Sequence, residues 1–269
     1  MIIANPIYDV VFKRLMEDKR IAKFFIETLT GETIIDIDLK PQEFTYNDRL
    51  AGIAVYRLDF VATIKTTDNE YKKVLIEIQK AKNAVDLMRF RNYLAEQYKK
   101  EDEIITDSGS SKHALPIITI YLLGFKLIDI NTSVIKVNRQ YIDLITNTII
   151  QHKNDFIEKL THDCYVVQIP RIQPKIQSKL EVLLTIFEQA NFIDDKEITK
   201  NYTYQVNDDF IKNIVDILHH AGTDPVERNE IEKEQEAMRV FDAGMRELKQ
   251  TIAEKDKLIE ELKKKLEEK

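Results

Sequence analysis

The sequence is poor in the residues that mark several common protein classes. Its 269 residues include one cysteine, six glycines and no tryptophan. The single cysteine, Cys164, excludes an intrachain disulfide, which suits a reducing compartment. So few glycines leave no glycine-rich loop for nucleotide phosphates. One cysteine and five scattered histidines also give no case for a nucleophilic triad or a structural zinc site.

Long apolar runs are lacking as well. The longest run, Ala114 to Phe125, has 12 residues, whereas about 20 are needed to span a bilayer. This length favours a core strand. The N-terminal stretch MIIANPIYDV has no basic segment of the kind that begins a signal peptide, and the first basic residue is Lys13. We therefore expect no membrane association and a cytoplasmic location.

The charge is unevenly distributed. The net charge is −6, which argues against a protein that coats nucleic acid through bulk charge. Residues 71–100 nevertheless contain eight basic and three acidic residues. One interpretation of this basic segment is a solvated helix face, and the other is a surface for phosphate groups.

The hydrophobic pattern predicts a mixed α/β domain over residues 1–225. Its better-patterned part, residues 5–125, has the order α-β-β-β-α-β. We predict a helix at 7–29, extended chain at 34–46, strands at 53–64 and 71–79, a helix at 83–100, a polar loop at 106–112 and a strand at 116–123. Over residues 126–225 the pattern predicts accessory strands at 134–137 and 165–169, and helices at 143–160, 179–190 and 210–219. Gly222 and Pro225 mark a break.

Residues 226–269 have a heptad pattern. Apolar residues recur every seven positions and define the a positions of the heptad, namely Ile231, Met238, Met245, Ile252, Ile259 and Leu266. Phe241, Leu248 and Leu262 occupy d positions. Glu234 and Lys255 are the polar exceptions at d. The pattern predicts a coiled coil and a homo-oligomer, most simply a dimer. The alternative is a single charged helix.

The predicted hairpin between the second and third strands carries acidic residues where a core is expected. If the hairpin is symmetric about Asp68, Asp59 lies directly opposite Glu77, and both point to the same face. Alternation places Gln79 on that face too, and Ile76 and Ile78 on the other.

Opposed carboxylates repel each other, so a sequence keeps them where something neutralises the charge. A shared proton is one solution, and a hard divalent cation is another. Asp59, Glu77 and the backbone carbonyl of Ile78 have the oxygen ligands that Mg²⁺ or Mn²⁺ prefers. The alternative is an exposed hairpin face with ordinary charges. The metal site needs this register, because a shift of one residue turns Glu77 away from Asp59.

The motifs along residues 5–125 resemble those of a known family. They are Asp9-x-x-Phe12-Lys13, Arg57-Leu58-Asp59, Ile76-Glu77-Ile78-Gln79-Lys80 and Arg89-x-Arg91-x-Tyr93. This set resembles the PD-(D/E)XK nuclease superfamily, in particular its branch of recombination-promoting nucleases and putative transposases. The resemblance is looser over residues 126–225.

The resemblance implies a restriction-endonuclease-like core and a metal-dependent DNA endonuclease. Asp59 and Glu77 match the metal-binding carboxylates, and Gln79 stands where the superfamily usually has lysine, a departure shared by this branch. Glutamine has no positive charge but can orient a water molecule. Lys80 faces away on an ideal strand and would need a bulge to reach the site. Asp9 either approaches the site from the first helix or pairs with Lys13.

Within this resemblance, the basic segment supplies phosphate contacts that read no base sequence. The candidates are Lys82, Arg89, Arg91, Lys99 and Lys100. Recombination, DNA mobility and defence against foreign DNA are all compatible roles, and RNA is not excluded as a substrate. The alternative from another class is a catalytically weak or inactive nuclease-fold protein that binds DNA or protein as a coiled-coil oligomer.

Overall fold

A computed structural model describes residues 1–40, 43–48, 52–57, 60–80, 84–106, 109–205 and 207–267. It contains both helices and strands, as the hydrophobic pattern predicts for a mixed α/β protein. The helices are α1 (Asp9–Glu17), α2 (Lys19–Thr30), α3 (Ala84–Lys99), α4 (Asp155–Leu160), α5 (Lys179–Leu184), α6 (Asp209–Thr223) and α7 (Pro225–Glu267).

The centre of the fold is a mixed six-stranded sheet with the spatial order β10-β13-β9-β6-β5-β2. Strands β6, β9 and β13 run parallel, and the remaining neighbours are antiparallel. The strands, numbered in chain order, are β2 (Ile34–Leu39), β5 (Phe60–Thr66), β6 (Tyr71–Gln79), β9 (Ile117–Leu123), β10 (Val134–Val137) and β13 (His162–Gln168).

Shorter strands form separate antiparallel pairs outside this sheet. They are β1 (Ile2–Ala4) with β14 (Thr199–Asn201), β3 (Glu43–Asp48) with β4 (Gly52–Arg57), β7 (Asp102–Thr106) with β8 (Gly109–His113), and β11 (Tyr141–Asp143) with β12 (Thr148–Ile150).

The predicted order α-β-β-β-α-β is present around the central sheet. Helices α1 and α2 precede β2, β5 and β6, and α3 leads from β6 to β9. The predicted boundaries of β6, at Tyr71 and Gln79, are confirmed. Gly31 ends α2 as predicted, because its φ of 76° is the left-handed conformation that glycine adopts without strain.

The hairpin of β5 and β6 has the register predicted from its turn. Phe60 pairs with Ile76 and Ala62 with Val74, so the two strands are symmetric about Asp68. Asn69 in the turn has a φ of 64°, a conformation that asparagine tolerates better than most residues. This register fixes which residues of β6 face each side of the sheet.

The two faces of the sheet are covered by different elements. Phe60, Ala62, Ile76 and Ile78 belong to a large apolar core that also includes residues of α1, α2, α5 and α6. On the other face, residues of β5, β6 and β9 pack under α3 in a smaller cluster of Val61, Leu75, Phe90, Tyr93 and Ile117.

Several predicted elements are wrong in detail. The helix predicted at 7–29 is divided, because Asp18 leaves the helical conformation and its side chain caps the start of α2. The strand predicted at 53–64 contributes instead to β4 and β5, which pair with different partners. The polar loop predicted at 106–112 contains β8.

The helix predicted at 143–160 is also wrong. The β11–β12 pair occupies its first part, and only Asp155–Leu160 is helical. The chain turns at Asn147, whose φ is 54°. Ile145 nearby is 96% exposed, so the apolar spacing that suggested a helix does not correspond to a buried face.

Helix α7 is docked onto the domain at its N-terminal end. Ile231 is buried in the main core, and Glu227 pairs with Arg14 of α1 at 3.0 Å. The Glu234 carboxylate accepts hydrogen bonds from the backbone N–H groups of Asp9 and Val10, at 2.9 and 3.1 Å. Glu234 therefore caps α1 and compensates its macrodipole. This docking explains why a polar residue occupies that d position of the heptad pattern.

The long helix predicted after the break is confirmed over Pro225–Glu267. Whether it forms a coiled coil stays a prediction. No helix in the described part of the chain is both long enough and apolar enough to cross a bilayer.

Candidate functional site

Glu77 and Gln79 of β6 lie on the face of the sheet that α3 covers. Leu75 of β6 packs in the cluster under α3. Glu77 and Gln79 follow it at intervals of two residues, so their side chains point to the same face of the sheet. Only 2% of Glu77 and 8% of Gln79 is exposed, so neither is an ordinary surface residue. The alternative of an exposed hairpin face is therefore wrong for these two residues. Burying a carboxylate is costly unless polar or charged groups compensate it.

Helix α3 encloses this region with aromatic side chains. The ring of Phe90 lies 4.3 Å from the ring of Tyr121 on β9, measured between centroids. Tyr121 is the residue of β9 that pairs with Glu77. Burial raises the pKa of the Tyr121 hydroxyl, and the charges of Cys164 and Glu77 raise it further. The hydroxyl therefore stays protonated at neutral pH and is a potential hydrogen-bond donor.

The apolar face predicted for α3 is only partly correct. Phe90 is buried and Leu94 is partly buried as expected, but Leu87 is 52% exposed and Tyr98 39%. The buried positions include Tyr93 and Gln97 instead. Tyr98 contacts the start of β13, where its hydroxyl lies 3.0 Å from Nδ1 of His162.

A second buried charge lies on the same face of β6. The Lys73 ammonium is 2.7 Å from the Asp102 carboxylate, and only 2% of the lysine is exposed. Lys73 also donates a hydrogen bond to the backbone carbonyl of Gln97, at 3.4 Å. Burial lowers the pKa of Lys73, and Asp102 opposes that shift. In the sequence Lys73 is recognisable only as part of the basic segment, although its spacing of two residues from Leu75 indicates that both side chains point to the same face of the sheet.

The second predicted metal ligand, Asp59, lies outside the described residues. Within the described residues, the β5–β6 ladder ends at the pair Phe60 and Ile76. The symmetry about Asp68 expected from the sequence is thus confirmed up to the residues next to Asp59 and Glu77. In the described part of the chain, no three histidine, cysteine or acidic side chains are grouped closely enough to hold a metal ion.

Lys80 lies on the opposite side of the sheet from Glu77. Its ammonium is 4.4 Å from the ring centroid of Tyr8 and forms an ion pair with Glu234 of α7. The prediction that Lys80 faces away is confirmed. Its backbone packs closely against Gly124 after β9, where a Cβ atom would be 2.6 Å from the Lys80 carbonyl oxygen.

Asp9 forms the local ion pair that was one of its two predicted arrangements. Its carboxylate is 2.7 Å from the Lys13 ammonium, one helical turn further along α1. Its backbone N–H binds Glu234, the same carboxylate that pairs with Lys80. Asp9, Lys80 and Glu234 therefore form one polar group at the junction of α1, β6 and α7.

The predicted phosphate contacts divide into two groups. Arg91, Lys99 and Lys100 are exposed on α3 or just beyond its end, and Lys99 pairs with Glu96 at 2.8 Å. Arg89 is within α3, but its side chain is outside the described part of the structure, as is the whole of Lys82. The three described cations are accessible to a ligand approaching α3.

Comparisons with known proteins give no further assignment. Neither the protein-family models nor the curated proteins nor the solved structures provide a match to this chain.

Proposed function

We propose that this protein is a metal-dependent endonuclease that hydrolyses phosphodiester bonds of double-stranded DNA with little sequence specificity. The fold proposed for it is a restriction-endonuclease-like core with a C-terminal coiled-coil helix. The observation that carries the proposal is the register of β5 and β6, together with the burial of Glu77. If the same register continued by one residue, Asp59 would pair with Glu77.

The chemistry of these residues suits a hard divalent cation. Mg²⁺ and Mn²⁺ prefer oxygen ligands, and Asp59, Glu77 and the Ile78 carbonyl would supply them. A cation so placed would neutralise the buried Glu77 carboxylate. When bound, it would lower the pKa of a water molecule and stabilise negative charge on a phosphate.

Gln79 lies on the same face as Glu77, and its amide can accept and donate hydrogen bonds. Its proposed task is to orient the attacking water. The exposed cations Arg91, Lys99 and Lys100, together with Lys82 and Arg89, would hold the DNA backbone through phosphate contacts.

A second function is favoured by the placement of Lys80. Gln79 occupies the position where the superfamily usually has lysine, and Lys80 pairs with Glu234 on the other side of the sheet. Without a lysine beside Glu77, Gln79 supplies no positive charge to the attacking water or the phosphate, which would leave a weak or inactive nuclease. Such a protein would act by binding DNA or another protein.

A plasmid-cleavage assay tests the proposal. The full chain is incubated with supercoiled DNA in Mg²⁺, in Mn²⁺ and in a chelator, and labelled RNA is included as a competing substrate class. We expect cleavage that requires the metal and that falls at least about 100-fold in Asp59→Asn and Glu77→Gln. Glu70→Gln is the matched control, because Glu70 is exposed in the same hairpin.

Cleavage that survives Glu77→Gln would overturn the site assignment. Gln79→Lys separates the two functions, because it restores the usual residue. An active nuclease of this type is expected to cleave at least as fast with lysine. DNA binding without cleavage in both forms would favour the non-catalytic function.

A further inference from the structure

Helix α7 consists of a docked end and an outer segment. Ile231 and Glu234 in the docked end contact the domain, and Ile231 is only 1% exposed. The outer segment, defined here as residues 238–267, continues the heptad pattern. Its described a residues Ile252 and Ile259 are 50% and 49% exposed. Large aliphatic side chains repeated on one stripe of a long helix favour burial against another helix.

The polar residues of the outer segment discriminate between the ways in which two copies can pair. Lys255 occupies a d position and is exposed. In a parallel pair in register, each Lys255 faces the Lys255 of the other copy. Like charges in the middle of an apolar seam are unfavourable, so the parallel arrangement is disfavoured.

The flanking charges of a parallel pair give no compensation. In that arrangement, g positions face the e positions of the following heptad on the other helix. The first four g positions beside this seam are all uncharged, namely Ala237, Gly244, Thr251 and Leu258. The e positions that they face carry the charges of Asp242, Lys249, Asp256 and Lys263. A parallel pair therefore gains no attractive charge contact at these positions.

An antiparallel pair centred between Ala253 and Glu254 avoids the lysine contact and also uses the flanking charges. Lys255 then faces Ile252 of the other copy instead of another lysine. In antiparallel coils, e positions face e positions, so Asp242 lies opposite Lys263, and Lys249 lies opposite Asp256. Each attractive pair occurs twice because of the two-fold symmetry. The apolar layers in this register are Met245 with Leu262, Leu248 with Ile259, and Phe241 with Leu266.

We propose that α7 pairs antiparallel with α7 of a second copy of this chain, in the register centred between Ala253 and Glu254. The proposal refines the C-terminal coiled coil that is part of the proposed function, and it adds the partner and its orientation. It places the two domains at opposite ends of the coil. With a rise of about 1.5 Å per residue, the two Glu234 positions are about 60 Å apart along the coil axis.

This separation has a consequence for catalysis. About 60 Å corresponds to roughly 17 base pairs of duplex at about 3.4 Å each. The two sites would therefore not meet at opposite phosphates of one cut. If the nuclease function holds, the dimer nicks the two strands independently, and nicked circles accumulate before linear DNA.

Disulfide cross-linking of the full chain tests the orientation. Cys164 is first replaced by serine, so that Met245→Cys and Leu262→Cys each introduce the sole thiol. We expect a cross-linked dimer when the two variants are mixed and oxidised, and little when either is oxidised alone. Gln250→Cys mixed with Lys257→Cys is the control, because both f positions face outward.

Efficient cross-linking of each variant with itself would show a parallel pair and overturn the proposal. A monomer in sedimentation analysis of the unmodified protein would overturn it as well. Neither result depends on cleavage, whereas Glu77→Gln tests the nuclease function without altering α7.

A charge exchange tests the register. Asp256→Lys places lysine opposite Lys249 twice, and should raise the dimer dissociation constant roughly tenfold. The double variant Lys249→Asp and Asp256→Lys restores opposite charges and should recover dimerisation. The two residues are seven positions apart and do not contact each other within one helix. Failure of the double variant to recover would contradict this register.

Discussion

The two faces of the central sheet differ in what they bury. The face under α1 and α2 is lined by apolar side chains such as Phe60, Ile76 and Ile120. The face under α3 also has an apolar cluster, but it buries Lys73, Glu77 and Gln79 on the same strand. Folding stability alone favours apolar residues at buried positions, because buried charges lose their hydration. Stability alone therefore explains the apolar face under α1 and α2, but not the buried charges of the face under α3, which we call the polar face.

The largest expected effect concerns the buried ion pair of the polar face. Lys73→Met leaves the Asp102 carboxylate buried without its cation, which should lower the free energy of unfolding by about 3–5 kcal/mol. Lys73→Met with Asp102→Leu should recover most of the loss. Chemical denaturation measures both. Lys112→Met, in an exposed pair with Glu101, should change stability by less than about 1 kcal/mol.

If Lys73→Met is as stable as the wild type, the ion pair of Lys73 with Asp102 does not stabilise this end of β6. The double variant separates the charge from the packing, since it removes both ions and keeps the apolar volume.

Packing should be equally important on the two faces. Ile76 and Leu75 are both fully buried neighbours on β6 that point in opposite directions. Ile76→Ala and Leu75→Ala should each destabilise the protein by about 2–5 kcal/mol, because each leaves a cavity. Denaturant unfolding tests this directly. If Leu75→Ala costs much less than Ile76→Ala, α3 does not pack tightly over the polar face.

The charges beside the apolar face lie at its margin, where Glu234 caps α1 and binds Lys80. Glu234→Ala should lower the free energy of unfolding by about 2 kcal/mol, since it removes charge-assisted hydrogen bonds to two backbone N–H groups. Glu230→Ala is the control on the same helix, because Glu230 is exposed. Equal stability of the two variants would contradict the docking of α7 through Glu234.

Lys200 provides a comparison for Lys73, because it is buried outside the central sheet and binds backbone carbonyls of Ile186 and Glu188. Burial lowers its pKa to about 8, against an ordinary value of 10.5. At pH values between these two pKa values, Lys200 is protonated in the unfolded chain but largely deprotonated in the folded chain. The free energy of unfolding therefore rises with pH over this range.

We expect the wild type to gain about 1 kcal/mol of stability relative to Lys200→Met between pH 8 and pH 9. Thermal or denaturant unfolding of both proteins at the two pH values provides the measurement. A difference that does not change with pH would show that Lys200 titrates normally.

Local signals were sufficient to predict the hairpin. The turn at 66–70 and the alternation of β5 and β6 indicate the observed register and the direction of Ile76. The same alternation predicts that Lys80 faces away from Glu77, and Lys80 contacts Tyr8 and Glu234. The pairing of Lys73 with Asp102 could not be predicted in this way, since the two residues come together only when the β7–β8 hairpin folds beside α3.

Short polar strands were missed for a different reason. The residues of β8, GSSKH, are exposed and have no apolar alternation. Conversely, Ile142, Ile145 and Ile149 follow helical spacing by chance in a segment that turns at Asn147. Of the candidate site, the common face of Glu77 and Gln79 follows from the sequence, whereas their burial and the enclosure by Phe90 and Tyr121 depend on the tertiary structure.

The most direct measurement of the central claim is the binding of Mn²⁺ to the polar face. Isothermal titration calorimetry is done on the wild type, Glu70→Gln and Glu77→Gln. The two variants are matched, because each replaces one carboxylate by an amide. Circular dichroism checks that all three are folded. We predict that the wild type and Glu70→Gln bind Mn²⁺ and that Glu77→Gln does not. Equal binding by all three proteins, or binding by none, would contradict the claim that Glu77 is a metal ligand.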